Sequence, residues 1–343
     1  MEQEQQVLLI PGLPDDMARE CLTRVPFAHF AAAASVCKQW KREIDSPSFH
    51  SMRSSNGHAR SILALVQAQA QPDDVERSKA ATFSPSKYRL VIFDPSSDTW
   101  QSLPPIPGLP HGLPLFCRIV AVGRQLLVVG GWDPATWAAT DGVHVYDFVS
   151  AAWRRGAPVP GQRRSFFACA GGPAGWVAVA GGHGDGKIAL RSALAYDVAG
   201  DRWVPLPDMA RERDECGGFF AGGRFYAAGG YCTEMQGSFS SSAEAFDFDS
   251  WEWGPVEEDY ADSDGFVSRK PAALPEDVRA VSQLVALPGG GGGGGGLTMV
   301  IGSAKDGGAQ VCYLRREGDD KWTEMRAPAE YSGHIQSACC LSI

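Results

Sequence analysis

The sequence predicts two parts: a small all-α segment and, behind it, an all-β ring of five repeated four-stranded sheets. Three observations carry that expectation. An Asp–x5–Trp unit occurs four times, at Asp94/Trp100, Asp147/Trp153, Asp197/Trp203 and Asp247/Trp253, with the tryptophans 53, 50 and 50 residues apart. An aromatic residue precedes each aspartate (Phe93, Tyr146, Tyr196, Phe246), and Gly-Gly pairs end the apolar runs LLVVGG, WVAVAGG and RFYAAGG. Composition agrees, since 40 glycines and 23 prolines suit short strands and turns better than helices.

Residues 1–9 read as a polar N-terminal stretch, 10–53 as the helical segment, 54–61 as a short linker and 62–343 as the ring. In the helical segment, Asp15 and Asp16 favour a helix N-terminus by their charge. Met17, Cys21 and Leu22 are expected on one face, and Val25-Pro26 ends the helix. A second helical stretch is expected to carry Val36, Trp40 and Ile44 at i, i+4 and i+8, and Ser46-Pro47 to cap a third. So short a segment cannot bury a core alone. It is either a cap on the ring or a module completed by a partner chain.

In the third repeat FFACAG, WVAVAGG, SALAYDV and RWVPL are the inner, second, third and outer strands. The first repeat has ILALV (62–66), RLVIFD (89–94) and TWQSL (99–103) but no inner strand, while HIQSACCLSI (334–343) is a strand without partners. Pairing the two closes the ring and removes both exposed edges. A degenerate last unit reads LTMVIGS (297–303), QVCYLRR (310–316) and Trp322. The glycine run 289–296 contains GxGxxG, but no helix follows it, so it reads as a spacer.

A repeat of about 50 residues with this Gly-Gly, Tyr and Trp grammar resembles the kelch repeat, which implies a β-propeller. Six blades are usual there, against the five read here. Upstream, LPDD, CL, VP, VCKQW and SPSF, in that order between Leu13 and Phe49, resemble the F-box. The Ala31–Ala34 run departs from that pattern, standing where the family carries larger apolar and basic residues. The resemblance implies docking on Skp1, and through it on a cullin ubiquitin ligase, by Leu13, Pro14, Leu22, Val25, Pro26, Val36, Cys37 and Trp40.

An F-box followed by kelch repeats resembles, over nearly the whole chain, a large plant family of substrate receptors. GLPLFC (112–117), VVGGWDP (128–134), RRSFFACAGG (163–172), MARERDEC (209–216) and GGYCTEMQG (229–237) are similar to the subgroup that targets phenylalanine ammonia-lyase for degradation. Relatives there are also tied to response regulators of cytokinin signalling. The implied function is capture of a target for ubiquitination, with negative control of phenylpropanoid biosynthesis. The alternative is a kelch scaffold that binds a partner without ubiquitin transfer.

Alternating strand direction brings the strand 2–3 loops and the loops between successive repeats to one face. Substrate is expected there, on Trp132, Asp133, Trp137, His183, Asp185, Tyr231 and Glu234 of the first set and Arg163, Arg164, Arg211 and Arg213 of the second. Exposed aromatics and arginines are the types enriched at binding hot spots. The arginine pairs are expected to supply a positive patch, unless Arg164 and Arg213 instead pair with neighbouring carboxylates.

Other classes fit less well. A net charge of -9 argues against nucleic-acid or anionic-membrane partners, and no apolar run approaches the roughly 20 residues of a membrane span. Nine cysteines without a CxxC read as reduced thiols of the cytosol or nucleus. Cys117, Cys169, Cys216, Cys339 and Cys340 fall on inner strands, where converging blades want small residues. No Ser-His-Asp or paired-acid signature occurs, so a non-catalytic adaptor without cofactor or metal is expected.

Overall fold

The computed structural model describes residues 8–69, 87–184, 186–260, 274–287, 296–305 and 310–343. Five four-stranded antiparallel sheets form the propeller. Blade 1 holds β1 (Ser61–Ala68), β2 (Tyr88–Asp94) and β3 (Thr99–Ser102), with β20 (Ile335–Ser342) as its inner strand. Blade 2 is β4 (Arg118–Val122) to β7 (Ala152–Arg155), and blade 3 is β8 (Ala168–Gly171) to β11 (Arg202–Leu206). Blade 4 is β12 (Gly217–Ala221) to β15 (Glu252–Trp253), and blade 5 is β16 (Val278–Leu287) to β19 (Thr323–Glu324). In blade 1 the register pairs Ile62 with Leu341 and Leu65 with Ala338, so the two ends of the β-chain share one sheet.

The Asp–x5–Trp unit is the hairpin between the third and outer strands. Each aspartate closes the turn: Asp147 Oδ1 accepts from the Val149 and Ser150 amides, Asp197 from Gly200, and Asp247 from Asp249 and Ser250. The aromatic before it pairs across strands with the tryptophan, as in Tyr196↔Trp203, whose rings lie 4.9 Å apart. In blades 2 to 4 the indole N–H then reaches back to the preceding blade's exit: Trp153 to the Pro104 carbonyl, Trp203 to Ala157 and Trp253 to Pro207, at 2.7 to 2.9 Å. One unit thus closes its own turn and fastens its blade to the one before.

The Gly-Gly pairs have a different cause. Gly131, Gly182 and Gly230 all take positive φ, and a Cβ on any of them would collide with a backbone carbonyl, of Leu115, Ser165 and Asp214 respectively. That close approach seats the next residue beside the start of the inner strand through the bridges Leu115↔Trp132, Ser165↔His183 and Asp214↔Tyr231. Apolar clusters fill the junctions of blades 2 with 3, 3 with 4, and 5 with 1. On the opposite side of blade 4, Phe219, Tyr226 and Tyr260 stack on one another but stay half-exposed.

Four helices precede the propeller: α1 (Asp15–Thr23), α2 (Phe30–Val36), α3 (Lys38–Asp45) and α4 (Pro47–Ser55). Ser46 accepts from the Phe49 amide and Pro47 opens α4, as expected. Two helical expectations are corrected. Met17 and Cys21 face out while Ala18 and Leu22 are buried, so α1 divides the residues assigned to one face. The second stretch is two helices, broken at Cys37, whose extended backbone ends α2 and whose Sγ accepts from the Trp40 amide.

Arg53 holds this segment together. Its guanidinium is buried, lies 4.8 Å from the Phe30 ring centroid, and donates to the carbonyls of Thr23, Val25 and His58. Desolvation lowers its pKa to about 10. The helices do not form a separate globule. Leu22, Phe30, Ile44 and Phe49 belong to the same core as Ile62, Ile119, Phe148 and Val149 of blades 1 and 2. Phe27 meets Phe148 edge-on at 6.1 Å, and Arg124, in the β4–β5 turn, bridges Asp45 and Asp147 at 3.1 Å each. These contacts seat the helices on the face of the strand 1–2 and 3–4 turns, opposite the expected substrate face.

Candidate functional site

Burial locates the surfaces a partner can use. Among the described residues eight large apolar side chains are exposed, and they divide between two parts of the molecule. Met17 and Val36 lie on the helical segment and Leu8 just before it (44% to 62% exposed). Phe116, Trp137, Ile188, Met235 and Phe239 (39% to 58%) lie on the 4–1 and 2–3 loops of blades 2 to 4. Exposed apolar side chains are candidates for interaction where they gather into a patch.

On the helical segment Pro14, Pro26, Val36 and Cys37 are exposed, whereas Leu13, Val25 and Trp40 are half-buried against the core. Trp40 donates from Nε1 to the Leu9 carbonyl at 2.7 Å. Leu22 is only 2% exposed and serves the core, leaving no surface for a partner. Met17 and Cys21, one turn apart on the outer side of α1, join the exposed set in its place. Ala31, Ala33 and Ala34 are buried or half-buried, and Ala31 and Ala34 line a cleft with Arg124 and Asp147 of blade 2. The small side chains let α2 approach the propeller.

The loop face has two concentric rows at equivalent positions of blades 2, 3 and 4. In the inner row Phe116, Phe166 and Glu215 all take left-handed φ (58°, 54° and 52°), one residue before the buried Cys117, Phe167 and Cys216. Bulky residues rarely accept that conformation. The outer row is Trp132, His183 and Tyr231, each following a Gly-Gly pair. The rows pack into one crest: Phe116 lies 5.0 Å from Phe166, Trp132 meets both rings near 6 Å (6.1 and 5.9 Å), and Phe166 lies 5.5 Å from His183. Trp137 stands at the edge of Trp132. Asp133 holds that loop, accepting from the Ala135 and Thr136 amides; these hydrogen bonds, led by Thr136, lower its pKa.

Other expected substrate residues face inward. Arg164 and Arg213 are 5% and 1% exposed. Arg164 donates to the carbonyls of Gly181 and Ser192, and Arg213 to Glu244, Gly229 and Ser242. Tyr231 is buried with its hydroxyl on Glu215 at 2.9 Å. Burial and the Glu215 hydrogen bond both raise its pKa. The exposed arginines are matched by acids, Arg163 with Asp141 at 3.8 Å and Arg211 with Glu258 at 2.5 Å. The expected positive patch is therefore absent from the described residues of this face. Asp185 lies outside them, as do residues 261–270 of the acidic stretch 254–270 and glycines 289–295.

Folding also assembles a trio invisible to linear motif reading. His183 Nδ1 meets both oxygens of Asp214 at 2.9 and 2.8 Å, and the Ser165 hydroxyl lies 3.4 Å from His183 Nε2. The order resembles a nucleophile relay, but Ser165 is 2% exposed, closing its hydroxyl to a substrate. The His183–Asp214 contact crosses from blade 3 to blade 4 and ties the two. The inner thiols are equally inert, as burial pushes Cys117 and Cys169 up to about 12. No cluster of three metal-ligating side chains occurs among the described residues.

Comparison with known proteins matches both parts. The F-box domain profile matches residues 10–52, and the Kelch motif profile matches residues 115–160. F-box/kelch-repeat protein At1g80440 of Arabidopsis thaliana is 41% identical over 366 residues, spanning 98% of this chain and 99% of that one. F-box/kelch-repeat protein At1g15670 of the same plant is 40% identical, with 98% and 99% covered. SKIP20, another F-box/kelch-repeat protein of Arabidopsis thaliana, is 38% identical over 73% of this chain and 66% of its own.

Proposed function

The chain belongs to the F-box/kelch-repeat proteins, and we propose that it is the substrate-recognition subunit of a Skp1–cullin–F-box ubiquitin ligase, acting in the cytosol and nucleus. One observation carries the reading: among the described residues, the exposed large apolar side chains divide between the N-terminal helical part and the loops of the opposite face. An adaptor needs that layout, with one face for the ligase and another for the target. The F-box patch, centred on Met17, Val36 and Cys37, would take the Skp1-like protein; the crest around Phe116 and Trp137 would take the substrate. The close seat of α2 on blade 2, where Ala31 and Ala34 line a cleft with Arg124 and Asp147, gives the alanine run a task on the propeller side and supports reading this F-box as functional.

The substrate we propose is phenylalanine ammonia-lyase, which would make the protein a brake on phenylpropanoid synthesis. Support comes from the similarity of GLPLFC, VVGGWDP, MARERDEC and GGYCTEMQG to the subgroup that targets this enzyme; all four reach the crest or its rim. The test is enzyme abundance in plant cells expressing matched amounts of three chains. The parent should lower it, Phe116→Ala/Trp137→Ala should not, and Met17→Asp/Val36→Asp should bind the enzyme without lowering it. Unchanged abundance with the parent would remove ammonia-lyase as the target and leave the adaptor role standing.

A further inference from the structure

Resting on the adaptor reading, we infer that the crest selects a protein segment in which lysine or arginine stands beside apolar residues, the cation lying over blade 4 and the apolar anchors over blades 2 and 3. Three acids on this face, Glu212, Glu215 and Glu234, are exposed and form no salt bridge with any described residue. Among the described residues Glu215 Oε1 accepts from the Tyr231 hydroxyl, and Glu212 Oε2 from Thr233. The arginines that could have opposed them are buried or paired, as described above.

The other cations of this face are Lys87 on blade 1 and Arg279 and Lys305 on blade 5, all exposed, and Lys187 and Arg118 nearer the crest. Lys187 stands exposed in the blade 3 loop. Arg118 is half-buried at the start of β4 and donates to the carbonyls of Phe167 and Cys216, spanning blades 2 to 4 beneath the crest. Their positions give the crest a direction. A partner cation is repelled from the floor and from the basic residues of blades 1, 3 and 5, and is attracted to the acids of blade 4. There Glu215 holds the same left-handed inner-row position as Phe116 and Phe166. Aromatic faces alongside also favour a guanidinium or ammonium over a carboxylate. Apolar anchors go to Phe116 and Trp137, the exposed rings of blade 2. Charge complementarity of this kind sets partner choice and orientation.

The experiment is selection of a random 12-residue peptide display library on the full chain held in complex with a Skp1-like protein. The expected binders carry Lys or Arg next to Phe, Leu, Ile or Trp, and they bind the Trp137→Ala chain about tenfold more weakly. Glu212→Arg/Glu215→Arg should weaken them by at least about tenfold and improve binding of the same peptides with Glu in place of the basic residue. Should that double reversal fail to fold, Glu215→Gln is expected to weaken the parent peptides about fivefold while leaving Skp1 capture intact. Acidic or purely apolar binders, or basic binders indifferent to both Trp137→Ala and Glu215→Gln, would overturn the inference. So would concentration-dependent self-association abolished by Trp137→Ala, which would give the crest to a second copy. Each of these results leaves Skp1 capture unaffected, so the inference can fail while the adaptor reading stands.

Discussion

At the residue scale, arginine burial separates structural from partner-facing roles. Arg213 is closed from solvent beside Glu244, which also accepts from the Ala210 and Arg211 amides, so the pair knits the 4–1 loop to strand β14 (Ala243–Asp247). Removing one member of such a pair strands the other charge. Arg213→Met should lower unfolding free energy by about 3 kcal/mol or more in urea titration of the full chain. Arg213→Lys should recover only part, since an ammonium cannot reproduce the guanidinium fork on Glu244, Gly229 and Ser242. A loss below about 1 kcal/mol for Arg213→Met would show that the network is not stabilising. RRSFF and RERDEC show where the arginines stand along the chain but not whether a guanidinium turns toward backbone carbonyls or solvent. The same gap hid Tyr231, whose Gly-Gly approach draws it inward, and Met235 and Phe239, which carry no pattern of their own.

At the element scale the repeat was legible because each of its residues has one steric or hydrogen-bonding task. Aspartate closes a turn, tryptophan fastens a blade, and the second glycine admits a carbonyl. The blade count and the strand order within the third repeat were readable for that reason. The helices were less legible. Val36, Trp40 and Ile44 fit one helical face by spacing, yet Cys37 adopts φ −159° and splits the stretch. Periodicity cannot register a single extended residue. The clusters also rank the junctions by strength. Strands β12, which carries Phe219 of the half-exposed stack, and β16 have open burial patterns compared with the inner strands β4 and β8. Amide hydrogen exchange should therefore be fastest, among inner strands, in β12 and β16. Slower exchange there than in β4 and β8 would contradict this ranking.

At the scale of the whole molecule, the F-box and propeller share one core through Phe27, Phe30, Phe148 and Val149, so the helical part and the propeller are packed as one body. That sharing was not legible in the sequence, because the apolar residues of α2 and α3 do not reveal which surface completes them. Deleting residues 1–53 would bare the underside of blades 1 and 2, so point substitutions at exposed positions are the cleaner tool. The most direct measurement is calorimetric titration of a Skp1-like protein into the full chain, comparing the parent with Met17→Asp/Val36→Asp and with Phe116→Ala/Trp137→Ala. Two interface anchors replaced by charge should cost at least about 2 kcal/mol, roughly thirtyfold in affinity. The first variant should therefore lose Skp1 binding while the second binds as the parent does. Undiminished binding by Met17→Asp/Val36→Asp, with the propeller still folded, would contradict the assignment of this face to the ligase.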